Sequence, residues 1–252
     1  MEYFVAKHSI VRTIWGKADT VLFIFAGAAA EFALNKAVDW LYFTGRLPAD
    51  PLGRLFSTVE YARQIVFAHR AGAERAIDTI TAIHGAVEAK RGAAIPAWAY
   101  RDVLFMLIDY SIRSFEALER PLTTAEKEEV FDVFARVGQR MNIPDLPTTH
   151  AEWLVAREQH LVQDLVYSHF SADLFQQYRR HLGPLRYWLL LQGQRLVVPE
   201  RVRSLLRLGS WSWLRPVVPV YRHTQHFSLS QWVKTALLPP AYKAQIQALD
   251  GQ

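Results

Sequence analysis

The chain has 252 residues, 51% of them hydrophobic, 21% charged and 13% aromatic, and no cysteine. Its length lies between one and two ordinary domains and is enough to bury a sizeable core without covalent staples. The missing cysteine excludes disulfides, thiolate nucleophiles, cysteine-bound zinc, iron–sulfur clusters and thiolate-ligated haem. Any metal must therefore rest on imidazole, carboxylate or phenolate.

The formal net charge of +5 conceals an asymmetry. Residues 179–222 hold nine arginines, no lysine and one acid, Glu200, for a net +8, whereas residues 1–178 carry −4. A block of this kind suits phosphate, carboxylate or an anionic membrane surface, or is merely a solvated basic face. No nucleic-acid-binding motif accompanies it, so nucleic acid is not expected as a partner.

Taken in chain order, nearly every segment reads as helix. His8, Arg12 and Trp15 share one face near the amino terminus. The apolar run Thr20–Ala30 meets Glu31 after about ten residues, short of the about 20 that span a bilayer. Residues 21–34 therefore read as a buried, alanine-rich helix. With no secretory signal apparent, the expected location is the cytoplasm, with peripheral membrane contact as the alternative. A buried Glu31 is expected either to have a raised pKa and act as acid or base, or to be a salt-bridged structural group.

GRLPADP at 45–51 is a loop, followed by helices over about 52–68 and 72–90. In the first, Arg54, Thr58 and Tyr61 share a face. In the second, Ile77, Ile80, His84 and Val87 form an apolar stripe with an imidazole in it. Such a histidine is either a hydrogen-bonded core residue or a metal ligand. Gly85 beside it weakens the helix, which either a flat ligand or tight helix packing would explain.

RGAAIP at 91–96 breaks the chain before a helix over 97–118 whose VLFMLI centre is apolar on every face. There Asp102 and Asp109 share a face, with Arg101 and Arg113 placed to pair with them, so ion pairs are favoured over a metal. Thr123 to Glu126 is a capping box that opens a helix to about 140. NIPDLP at 142–147 reads as an extended linker, and Thr148 or Thr149 caps a helix running towards 165. The remainder, about 179–252, is less periodic and rich in arginine and tryptophan, including Trp188, Trp211, Trp213 and Trp232. A single all-α domain over 1–252 is the result. No Glu-x-x-His pair, His-Glu-x-x-His, nucleophile elbow, phosphate loop or dinucleotide fingerprint occurs in it.

The segments HSIVRTIWG (8–16), AGAAAEFALNKAVDWL (26–41), DPLGRLFST (50–58), ITAIHGAVEAKRG (80–92) and IPAWAYRDVLFMLIDYS (95–111) resemble bacterial members of the MpaB oxygenase family. So do LTTAEKEEVFDVFARVGQRMNIPDLP (122–147), QQYRRHLGPLRY (176–187) and VPERVRSLL (198–206). The family is distantly related to the latex-clearing rubber oxygenases. The resemblance implies a globin-like all-α domain around a haem pocket, one haem b, and use of dioxygen on an apolar, unsaturated substrate such as an isoprenoid.

It further implies that His84 is the axial iron ligand and that Arg54 and Thr58 lie near the haem or dioxygen. Glu31 is a weaker match for the acidic residue proposed as acid or base in the rubber enzymes, and Ser57 stands where those enzymes carry lysine. The arginine block after 178 is then a source of cations for the haem propionates. Beside it stands the alternative of a non-catalytic helical protein that holds haem or a lipid.

Overall fold

The structure is a computed structural model that describes residues 2–45 and 50–224; the side chains at 51, 52, 54–57, 223 and 224 are outside the description. Eleven helices occur among the described residues: α1 Ile10–Trp15, α2 Ala18–Phe32, α3 Val38–Phe43, α4 Pro51–Phe67, α5 Arg70–Arg91, α6 Ala97–Leu118, α7 Thr124–Arg140, α8 His150–Gln163, α9 His169–Val197, α10 Glu200–Leu205 and α11 Val217–Thr224. Extended pairing among these residues is confined to the isolated bridges Tyr3–His69 and Asn35–Leu165. The expected all-helical single domain is what forms.

The apolar centre of α6 makes it the axis of the domain, with Leu104, Phe105, Met106, Ile108 and Tyr110 all buried. Antiparallel to it lies α2, tied at one end by Lys17 to Glu119 (2.6 Å) and at the other by Asn35 to Asp102 (2.8 Å). The run AGAAA at 26–30 presents almost no side chain, so the two helices approach closely. On the other flank of α2, α9 is fixed where Ser171 Oγ donates to the Ala33 carbonyl at 2.6 Å. Helix α7 covers α6 from the remaining side, and Trp15 of α1 is buried there with its indole N–H on Ser111 Oγ at 3.1 Å.

Local signals set the helix ends. Thr123 and Glu126 form the anticipated reciprocal capping box, and Thr149 caps α8 through Glu152 N–H. Gly92, at φ 70°, closes α5 in the left-handed region that glycine adopts without penalty.

One expectation is corrected. Residues 142–147 are not extended, because Asn142 and Asp145 both take positive φ and bend the segment. Among the described residues after 178, α9 continues to Val197, running for 29 residues through a kink where Gly183 has φ 73° and Pro184 restarts the helix. That kink breaks the apolar period, which is why the sequence there lacked a readable stripe. Trp232 and the tail from 225 lie outside the described residues.

The α2–α6 contact is sharpest at Gly27, where an added Cβ would meet the Tyr110 ring at 2.2 Å. Gly27→Ala is expected to lower unfolding stability by about 1–3 kcal/mol through overpacking, read as a reduced urea midpoint.

Candidate functional site

Two polar centres flank the core, and they differ in kind. The first is a buried ion cluster where α2, α6 and α8 meet. Glu31 has no solvent exposure. Arg157 grips both its oxygens (2.5 and 2.6 Å), Tyr110 Oη donates to Oε2 at 2.8 Å, and His160 Nε2 lies 2.8 Å from Oε1. Arg157 also donates to Asp109 Oδ2 at 2.8 Å, and Arg113 Nε donates to the other Asp109 oxygen at 2.7 Å. The second ring nitrogen of His160 stands 2.7 Å from Asp102, whose other oxygen accepts from Asn35.

Three carboxylates thus face three cations, provided that His160 is protonated. Burial works against charge on Glu31, but Arg157 and then His160 outweigh it and hold the carboxyl down at about 2. Burial likewise works against charge on His160, yet its bonds to Asp102 and Glu31 push it up to about 9. The expectation of a raised Glu31 pKa is therefore overturned, and Glu31 is salt-bridged as the alternative had it. An ionised glutamate with a full set of donors has no proton to give and little tendency to take one.

Asp102, His160 and Asp164 bring ligand-type atoms within 4.8 Å of one another. A cation there would have to displace the His160 proton while Nε2 remains engaged by Glu31, so we read these residues as ion pairs. Asp109 pairs with Arg113 as its spacing suggested, whereas Arg101 turns away to Asp145 at 3.0 Å. Arg157 and His160 themselves carried no usable signal in the sequence. Their i, i+3 spacing on α8 is common, and only the fold brings Glu31 within their reach.

The second centre is the carboxy-terminal half of α5. Its stripe starts inside the core at Ile77, which is fully buried, and then emerges. Ile80, His84 and Val87 are half-buried and Ile83 is 38% exposed, an uncovered apolar face among the described residues. The His84 ring stands edge-on to Tyr100 with 5.2 Å between centroids. Tyr100 Oη donates to Glu88 at 3.1 Å, and Glu88 also accepts from Ile95 N–H. Among the described residues, a Cβ on Gly85 would meet nothing within 4 Å.

Helix α4 carries Arg54 and Thr58; Thr58 and Tyr61 are half-buried, and the Arg54 side chain is outside the description. Glu31 does not join this second centre. Its partner Tyr110 and the His84 neighbour Tyr100 are ten residues apart on α6, about 15 Å along the axis. Of the amino-terminal trio, Arg12 donates to the Val5 carbonyl and lies over the Tyr3 ring and Trp15 is buried, whereas His8 is exposed.

Comparison with protein families gives a match over residues 13–246 to the catalytic domain described as ER-bound oxygenase mpaB/B′ and rubber oxygenase. The chain belongs to this family. It is accordingly an oxidoreductase of the oxygenase kind. Comparison with curated proteins finds no match.

The residues of the second centre fit a haem. An imidazole on a helix face is a suitable axial donor, and the apolar surface around it, half-covered by the described residues and with no described atom within 4 Å of a Cβ at Gly85, is of a kind that receives a flat apolar ring. The ion cluster offers the opposite environment, polar, saturated and closed.

The cluster makes stability depend on pH in two directions. Glu31 is lowered on folding from 4.5 to about 2, so its contribution is complete above 4.5 and is lost as pH falls towards 2. His160 is raised from 6.5 to about 9, so its contribution is complete below 6.5 and fades as pH rises through 9. Urea denaturation across pH is expected to show a decline between 6.5 and 9 that His160→Gln flattens. Arg157→Met, which strands Glu31 without its main partner, is expected to cost about 3–5 kcal/mol in the same assay.

Proposed function

We propose that the chain is a haem b-dependent oxygenase that uses dioxygen on an apolar, unsaturated substrate, isoprenoids included. The observation that supports this reading is the placement of His84, a half-buried imidazole on the apolar stripe of α5, within a chain that belongs to an oxygenase family. Haem bound there supplies the iron that activates dioxygen. The protein's part is to hold and surround it. His84 donates its ring nitrogen, and Tyr100, held by Glu88, buttresses the ring edge.

Thr58 and Arg54, one turn apart on α4, are a hydroxyl and a cation suited to hydrogen bonding with the cofactor or with dioxygen. Ile80, Ile83 and Val87 give an apolar wall that excludes water and accepts hydrocarbon. Glu31 takes no proton-transfer role in this reading, being ionised and fully bonded. The neighbouring Ser57 in place of lysine leaves one cation fewer on α4 than in the rubber enzymes.

We also propose peripheral contact with an anionic membrane through the arginine-rich arm. Leu185, Trp211, Trp213, Val217 and Val220 are more than half exposed, with arginines interleaved among them. Indoles beside guanidinium groups match the boundary between headgroups and acyl chains. No described helix is long and apolar enough to cross a membrane.

Purified protein reconstituted with haem is expected to show a Soret band that His84→Ala removes or shifts; a protein that takes up no haem overturns the reading. Oxygen consumption with a panel of isoprenoid alkenes should rise above background, and a carrier would show none. Vesicles containing phosphatidylserine should co-sediment the protein at low salt and release it as salt rises. Absence of binding at every salt concentration removes the membrane contact.

A further inference from the structure

The reading of His84 leaves unanswered what fixes the cofactor's rotation and its polar edge. The stripe that begins at Ile77 and passes through His84 continues at the same sevenfold spacing to Arg91, in the last turn of α5. Residues seven apart on a helix lie on nearly one line, about 10 Å apart along the axis. That is comparable with the reach from a porphyrin's centre to its carboxylate arms. Only Glu88 stands between them as a charged group on this face, and its carboxylate is committed to Ile95 and Tyr100.

Arg91 is mounted with unusual care for a residue at a helix end. Asp39 takes its Nη2 at 2.7 Å, and the guanidinium lies over the Trp40 ring with 3.9 Å to the centroid and 5.4 Å to that of Phe43. This fixes the plane of the guanidinium and leaves its other terminal nitrogen, Nη1, enclosed and without a hydrogen-bond partner. A buried N–H pair without an acceptor is costly, and a carboxylate is the group that relieves it best.

We propose that Arg91 is a propionate anchor: its Nη1 receives a carboxylate of the cofactor held by His84, with Asp39 and Trp40 as the mount. The proposal rests on the haem reading. It assigns to α5 both the axial donor and one cation, so that a single helix fixes the distance and the angle of the ring. Asp39 and Trp40 belong to α3, which is thereby drawn into the rim of the site although it carries no ligand.

The test compares haem b with its dimethyl ester, which keeps the iron and the ring but has no carboxylate charge. Both are titrated into the full chain and followed by the Soret band. Wild type is expected to bind haem b about tenfold more tightly than the ester, the scale of one charge-assisted hydrogen bond. Arg91→Gln should lose about tenfold in haem b affinity, keep its ester affinity, and so lose the discrimination while its Soret position stays with the His84-bound form.

Equal affinity of wild type for the two ligands overturns the anchor, and this needs no variant. So does an Arg91→Gln protein in which both affinities fall together, since that is the behaviour of a residue that only holds α3 to α5. If wild type binds neither ligand, the haem reading falls and the anchor falls with it, an outcome distinct from the other two.

Discussion

Placing a glutamate with no exposure in the last turn of an alanine-rich helix is the constraint to which the rest of the domain responds. An ionised carboxylate taken out of water costs several kcal/mol unless it is matched closely. Here Arg157 matches it on both oxygens and Tyr110 and His160 occupy what remains. The partners come from α6 and α8, 79 to 129 residues away in the chain. Charge pairing of this directionality admits one relative placement of three helices, whereas apolar packing alone would tolerate several. The small residues around Gly27 then let α2 and α6 close to the distance the pairs require.

With α6 fixed in this way, α5 is left with two different halves. Its first half buries Ala73, Ala76 and Ile77 in the core, and its second half continues the same stripe into space that no described element fills. Packing at one end holds the helix rigid. In the proposed reading the other end presents His84 in a defined direction, the arrangement a cofactor ligand needs. On that reading the closed cluster stabilises the fold and the half-covered face serves the chemistry. Sites of both kinds contain histidine, and their environments separate them. His160 is surrounded by carboxylates and holds its proton, while His84 lies among isoleucines and a tyrosine.

The arginine-rich arm obeys a third logic. Arg222 caps the carboxy-terminal carbonyls of α6, and Arg203 pairs with Glu200, so part of the +8 block serves the fold itself. The remaining arginines are interleaved in sequence with exposed indoles and aliphatics, in a segment whose one acid is Glu200. Charge segregated along the chain in this way is what the proposed contact with an anionic surface would draw on, although the whole chain carries only +5.

Most of the architecture was legible because its signals are local. The capping box at Thr123, the Pro96 break, the left-handed Gly92 and the length of each apolar period depend on residues within one or two turns, and α6 and α7 begin and end where those signals lie. The same holds for the family and for the prominence of His84, whose stripe is a property of one helix. The long α9 was missed because Gly183 resets its phase, and the turns at Asn142 and Asp145 were missed because positive φ leaves only a weak compositional trace. The chemistry of Glu31 was beyond the reach of sequence altogether. Burial by itself predicts a raised pKa, and the sign is reversed by Arg157 and His160, groups whose distance depends on how helices far apart in the chain pack together. The sequence alone therefore determined that this is a cysteine-free, all-helical chain with one conspicuous imidazole stripe. Tertiary structure decided which charges meet, which half of α5 enters the core, and that Arg91 ends the His84 stripe on a fixed mount, because electrostatic environment is set by distances that no local pattern encodes.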